Sequence, residues 1–147
     1  MDLQKSCIQK NCLSIIYKIL AMLEQSQSSS YVQSKKLNLI QTAVDYLESH
    51  YYDPTLNVDT LAHHSNISVP YFRKLFTDIF MMPPAKYLQS VRIRKAKELL
   101  TLNIYSIGEI AEMVGYSSVY YFSKAFKKET GVPPSEFLRQ SLSEQNL

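Results

Sequence analysis

Apolar residues recur every three or four positions along most of this chain, and no stretch alternates apolar and polar residues with the period of two that a half-buried strand requires. The pattern predicts helices throughout. Ile8, Cys12, Ile15, Ile19 and Met22 form a first stripe, widened by Leu13, Ile16, Leu20 and Leu23. A polar run, Gln25-Ser26-Gln27-Ser28-Ser29-Ser30, then interrupts it and reads as a linker. Lys35 to His50 is the next helix, with Ser34 as N-cap and Leu37, Ile40, Val44 and Leu47 on its inner face. Asp53-Pro54 marks the break after it. Tyr87 to Leu100 reads as one continuous helix, with Leu88, Val91, Ala96, Leu99 and Leu100 inward and Arg92, Arg94, Lys95 and Lys97 as its cations. Gly131 stops a later helix and Pro133-Pro134 prevents its continuation, after which Ser135 is expected to cap a short helix through Arg139.

A repeat organises the middle of the chain. Asn57 to Leu88 returns as Ser106 to Leu138. Leu61, Ala62, Asn66 and Ser68 recur 49 positions later as Ile110, Ala111, Gly115 and Ser117. The offset then becomes 50, so that Tyr71, Phe72, Lys74, Phe76, Pro83, Pro84 and Leu88 recur as Tyr121, Phe122, Lys124, Phe126, Pro133, Pro134 and Leu138. Each copy reads as a short helix, a tight turn and a second helix. Small Ala62 and Ala111 let that second helix approach, Asn66 and Gly115 suit a left-handed turn, and Ser68 and Ser117 are expected to cap the second helix. Ser106 with Glu109 three residues on is a capping-box pattern.

Two helix-turn-helix units in one chain point to a reader of double-stranded DNA. Placing Phe72, Leu75 and Phe76 inward turns Pro70, Lys74 and Thr77 outward, with Arg73 on the flank. The same operation on Phe122, Ala125 and Phe126 exposes Tyr120, Lys124, Lys127 and Lys128, with Tyr121 and Ser123 beside them. Arg and Lys reach guanine edges in the major groove or neutralise phosphates, and the planar fork of Arg73 is the better match to two acceptors.

Charge sharpens this reading. The net charge is +3, yet residues 70–130 hold ten Lys and Arg against five Asp and Glu, so the excess sits within the repeat and the helix between its copies. Other function classes find little support. His63-His64 lacks a Cys or acidic partner at metal-ligand spacing, His50 is isolated, and three glycines leave no phosphate loop, so neither enzymatic activity nor a cofactor or metal is expected. Cys7 and Cys12, five residues apart on a helix, point about 140° apart and read as reduced thiols. The chain has no run of eighteen apolar residues and no recognisable secretory signal, so a cytoplasmic protein without membrane association is expected. The alternative is a helical protein–protein interaction module built on the many aromatics. Most aromatics of the repeat fall at core positions, however, and Tyr120 and Tyr121 accompany cations.

The chain resembles the AraC/XylS family of bacterial transcription regulators. The resemblance runs from about residue 38 to 140. It is carried by Leu61-Ala62 through Ser68, Tyr71-Phe72-Arg73-Lys74-Leu75-Phe76, Arg94 to Leu100 and Ile107-Gly108-Glu109-Ile110-Ala111. It continues through Val114-Gly115-Tyr116-Ser117, Tyr121 to Gly131 and Pro134-Ser135-Glu136-Phe137. It implies an all-α fold of seven helices, with two helix-turn-helix subdomains joined by a long linker helix, and an extra N-terminal amphipathic helix ahead of them here. It also implies base contacts from Pro70, Arg73, Lys74, Tyr120, Tyr121 and Lys124 in successive major grooves. Ser68, Thr77, Ser117, Ser123, Lys127 and Lys128 are expected at phosphates or on the flanks. The expected division is 1–25 for the N-terminal helix, 26–34 for the linker, 35–141 for the DNA-binding domain and 142–147 for a tail. RNA polymerase is a further candidate partner, and residues 8–23 are a candidate homodimer contact. Three positions depart from the family pattern: Ser65 replaces an apolar residue, Met81 stands where the helix usually ends at Gly, and Ala85 lacks the hydroxyl of Ser135. The helix before Met81 is therefore expected to end differently from its counterpart.

Overall fold

The computed structural model describes residues 36–145. The expectations for residues 8–23, the Ser/Gln linker, Ser34, Lys35 and both cysteines lie outside that range. The chain divides between Leu39 and Ile40, and the unit from Ile40 to Leu147 carries the repeat. Among the described residues every regular element is a helix: α1 (36–50), α2 (Val58–His64), α3 (Val69–Phe80), α4 (Pro84–Leu102), α5 (Ile107–Met113), α6 (Val119–Thr130) and α7 (Pro134–Gln145).

Two hydrophobic cores form, one for each copy of the repeat. Ile40, Ala43, Val44 and Leu47 of α1 pack with Leu61, Ala62, Phe72, Leu75 and Phe76 in the first. Ile110, Ala111, Val114, Phe122 and Phe126 build the second. Leu37, expected inside, is 46 % exposed. Helix α4 serves both cores. Leu88 and Val91 enter the first, whereas Ile93, Ala96 and Leu100 enter the second. At about 100° per residue, those two sets face directions about 140° apart, so the rod is apolar on two sides. Ile93, 1 % exposed, escapes a reading built on one stripe for that reason. A helix shared by two cores shows no single stripe.

The ends of the helices follow local chemistry. The Asn57 side chain accepts from the Thr60 N–H at 3.0 Å to start α2. At α5 the capping box is complete: the Ser106 N–H donates to Glu109 Oε2 at 2.7 Å, and the Glu109 N–H donates to Ser106 Oγ at 3.3 Å. Donation from the Ser106 N–H, with the Ser106 hydroxyl nearby, holds the Glu109 carboxyl below its usual range. Other expectations are corrected. Ser68 occupies the N-cap of α3 without a side-chain bond, and α6 is preceded by Ser118, not Ser117, also without one. The turn from α5 to α6 is one residue longer than that from α2 to α3, which is why the repeat offset changes from 49 to 50. Ser135 lies inside α7, which starts at Pro134 and runs to Gln145 instead of stopping near Arg139. Pro83 holds the corresponding N-cap of α4, so Ala85 removes no cap. Ser65 is buried, and its hydroxyl donates to the Leu61 carbonyl at 3.1 Å, which satisfies the polar group among apolar neighbours.

Left-handed residues close both copies alike. Asn66 (φ 53°) and Gly115 (φ 83°) form the turns, while Met81 (φ 54°) and Gly131 (φ 86°) end α3 and α6. The expectation that α3 would end differently is thus overturned. The Met81 N–H donates to the Thr77 carbonyl just as the Gly131 N–H donates to Lys127, so packing and backbone bonding override a side chain that disfavours this conformation. Met81 is 84 % exposed and loses little contact on truncation. Met81→Gly should therefore raise stability by about 1 kcal/mol, read as a higher denaturation midpoint. The two turn glycines should separate in a parallel experiment. Nothing lies within 4 Å of a Cβ built on Gly131, whereas one on Gly115 would sit 2.7 Å from the Tyr51 carbonyl oxygen. Gly131→Ala should cost about 1 kcal/mol for its φ alone, and Gly115→Ala about 3 kcal/mol or more. Equal losses would show that Gly115 serves only its φ.

Candidate nucleic-acid interface

Helices α3 and α6 each lay one side on a core and leave the other open. Phe72 and Phe76 are fully buried, with ring centroids 5.6 Å apart, and Leu75 lies beside them. Phe122 and Phe126, 5.7 Å apart, are fully buried in the second copy. The ladder continues through Phe80 and Tyr87 in one unit and Phe137 in the other, so these aromatics hold the helices down and are not offered to a partner.

The opposite side carries the residues singled out from sequence. Pro70, Arg73, Lys74 and Thr77 are exposed on α3, as are Tyr120, Tyr121, Lys124, Lys127 and Lys128 on α6; Ser68 and Ser117 are exposed in the turns, and Ser123 is half-buried. Positions 70, 73, 74 and 77 share a face of α3, and 120, 124, 127 and 128 share a face of α6. Among the described residues no hydrogen bond or ion pair engages the side chains of Arg73, Lys74, Lys124, Lys127 or Lys128. Their full donor capacity faces solvent. Tyr120 and Tyr121 are 68 % and 66 % exposed and meet edge to face at 5.5 Å. Tyr71, the counterpart of Tyr121 at the offset of 50, is also exposed between Pro70 and Arg73. The repeat makes it a further candidate, and the inward-outward sorting passes over it.

Three of the five cations of α4 behave differently. Arg92 is half-buried; its Nε donates to the Tyr51 carbonyl at 2.8 Å and its Nη2 to the Asp53 carbonyl at 2.7 Å, with the guanidinium 5.6 Å from the Tyr116 ring centre. Burial pushes its pKa down, and Tyr116 and Asp53 oppose that, yet a guanidinium stays charged. Arg94 donates through Nη2 to both oxygens of Glu48, at 2.9 and 3.0 Å, and Lys95 pairs with Glu98 at 2.9 Å. Much of the chain's positive excess is therefore committed inside the fold, and the uncommitted share lies chiefly on α3 and α6. Among the described residues no group of three His, Cys, Asp or Glu side chains could hold a metal ion, and no helix is long and apolar enough to cross a membrane. His64 instead packs against the Tyr46 ring at 3.8 Å.

A helix-turn-helix domain family matches residues 61–140, more than half of the chain. The raffinose operon transcriptional regulatory protein RafR of Pediococcus pentosaceus is 33 % identical over 131 residues, covering 88 % of this chain and 47 % of the relative. The chain belongs to the AraC/XylS family of DNA-binding transcription regulators. Among solved AraC-type domains, the C-terminal domain of AraT, a response regulator from Geobacillus stearothermophilus, superposes with a TM-score of 0.68 at 33 % identity, covering 69 % of this chain and 84 % of that one. The DNA-binding domain of AdpA in complex with a target DNA gives a TM-score of 0.69 at 23 % identity over 74 % of this chain and 96 % of that one, a likeness of fold. This AraC-type chain spans less than half the length of RafR and of most of the other curated relatives it matches.

Proposed function

We propose that this chain reads an asymmetric DNA site by inserting α3 and α6 into successive major grooves, as the DNA-binding part of a cytoplasmic transcription regulator. The observation that carries the reading is the contrast between committed and free cations. Arg92, Arg94 and Lys95 of α4 bond within the protein and leave only Lys86 and Lys97 of that helix free, while the cations of both second helices all stand exposed and unpaired on the side away from the cores. In this reading Arg73 forks onto a guanine and Lys74 and Lys124 reach base edges or nearby phosphates. Pro70, Tyr71, Tyr120 and Tyr121 contact base edges and thymine methyls, and Lys127 and Lys128 hold the backbone. Ser68, Ser117, Ser123 and Thr77 supply neutral donors along the flanks.

The two helices are not equivalent readers. The outward side of α3 carries Arg73 and Lys74 but ends in Thr77 and Asp78, where α6 has Lys127 and Lys128 at the offset of 50. The α6 side should therefore contribute more of the salt-dependent binding, and α3 more of the sequence discrimination.

Selection of bound duplexes from random DNA should return two clusters of preferred bases about 10 bp apart, centre to centre. Against the selected duplex, Arg73→Ala or Lys124→Ala should each cost about 1–3 kcal/mol, with relaxed preference at the bases touched. Lys127→Ala should weaken all duplexes alike and flatten the dependence of log K on log salt by about one unit. A single cluster, or unchanged affinity and base preference in both the Arg73 and Lys124 variants, would remove these residues from the site.

A further inference from the structure

The two copies of the repeat differ most tellingly where they do not face DNA. At the left-handed turn position the first copy has Asn66, which is exposed, and the second has Gly115, which is buried. A side chain is tolerated at one turn and excluded at the other. The excluding atoms are the Tyr51 carbonyl oxygen, the Arg92 Nη2 at 3.0 Å and the Tyr52 carbonyl carbon at 3.0 Å from a Cβ placed on Gly115. At the next position Ile67 of the first copy becomes Tyr116, the ring beneath Arg92. Tyr51 itself packs against both cores. The segment after α1, belonging to the first unit, is thus pressed onto the turn of the second, and Arg92 grips it by two carbonyls.

We propose that Arg92 is a positioning residue for DNA recognition: it locks the two helix-turn-helix units at one mutual setting and so fixes the spacing between the base clusters that the protein accepts. The role rests on the two-groove reading above. A guanidinium can reach both the Tyr51 and Asp53 carbonyls at once because its donors lie in a rigid plane, which an ammonium cannot reproduce. Release of this grip leaves each unit its own core and its own outward cations, since Arg92 belongs to neither. What is lost is the fixed setting between units. Each added base pair displaces one groove segment by about 3.4 Å and turns it by about 35°, so a rigid pair of readers discriminates spacing sharply and a loose pair does not.

The test uses the full chain and the selected duplex, with the same duplex carrying one or two base pairs inserted between its clusters, and a duplex with one cluster scrambled. Wild type should lose about tenfold or more in affinity per inserted pair, whereas Arg92→Gln should lose no more than about threefold, with Arg92→Lys between them. Affinity for the half-scrambled duplex should be the same in all three proteins. If wild type itself is indifferent to spacing, the two-groove reading fails and this role falls with it. If wild type discriminates and both variants discriminate equally, the two-groove reading stands and the role of Arg92 alone is overturned. Variants that lose helical structure, or half-site affinity, would make Arg92 a folding residue and overturn the proposal equally.

Discussion

Two backbone carbonyls just beyond the end of α1, those of Tyr51 and Asp53, set the relation between the halves of this molecule. Carbonyls at the end of a helix have no partner within it and must find donors elsewhere. Here Arg92, on the helix that both halves share, donates to both, joined at Asp53 by the Leu56 N–H, and its positive charge also suits the negative end of the α1 dipole. The geometry closes only because Gly115 brings bare backbone against the same segment. Each half has its own core; α4 and Tyr51 belong to both, and beside them the halves meet at a polar seam with almost no tolerance for added volume. A hydrophobic seam would permit sliding at little cost, whereas bonds to fixed carbonyls and a missing Cβ do not.

The division of labour along α4 follows from that seam. Its apolar residues are distributed between two cores on different sides, and the positions left over must meet water or polar neighbours. Arg92 falls at the seam and is half-buried. Arg94 falls over α1 and pairs with Glu48, an exposed contact that is worth little to stability but takes the cation out of competition for phosphate. The positive potential of the chain is therefore focused where the backbone offers whole helix faces, on α3 and α6.

How much of this can be read in the residues depends on the range of the interactions. Phe72, Phe76, Phe122 and Phe126 announce a buried face by their spacing of four, and Asn57 and Ser106 announce helix starts through partners three residues away; all are legible. The outward cations follow as the complement of those faces. Arg92 and Arg94 read as surface cations because their partners lie 39 to 46 residues away, and nothing local marks a carbonyl as needing a donor. Ile93 is hidden by the two-sided burial of α4. Met81 reads wrongly when the cost of a left-handed Met is weighed against nothing. The Pro83-Pro84 start of α4 and the burial of Phe76 require the chain to turn there at that cost. Analogy between copies assigns the capping serines, and the extra residue of the second turn shifts the true N-cap to Ser118.

The repeat therefore records two pressures that act on different positions. Where the copies agree, at the paired phenylalanines, the alanines of the supporting helices and the proline-bounded helix starts, each residue solves a problem internal to one unit. Where they disagree, the residue solves a problem that exists once in the molecule. Gly115 and Tyr116 differ from Asn66 and Ile67 because only the second turn receives the segment after α1. Lys127 and Lys128 differ from Thr77 and Asp78 although both pairs are exposed on equivalent faces, so no packing demand within the unit explains the change. A difference in charge on surfaces free of internal partners is a difference in what they meet outside, and a protein with two unlike readers held at one setting can distinguish the two directions of a duplex.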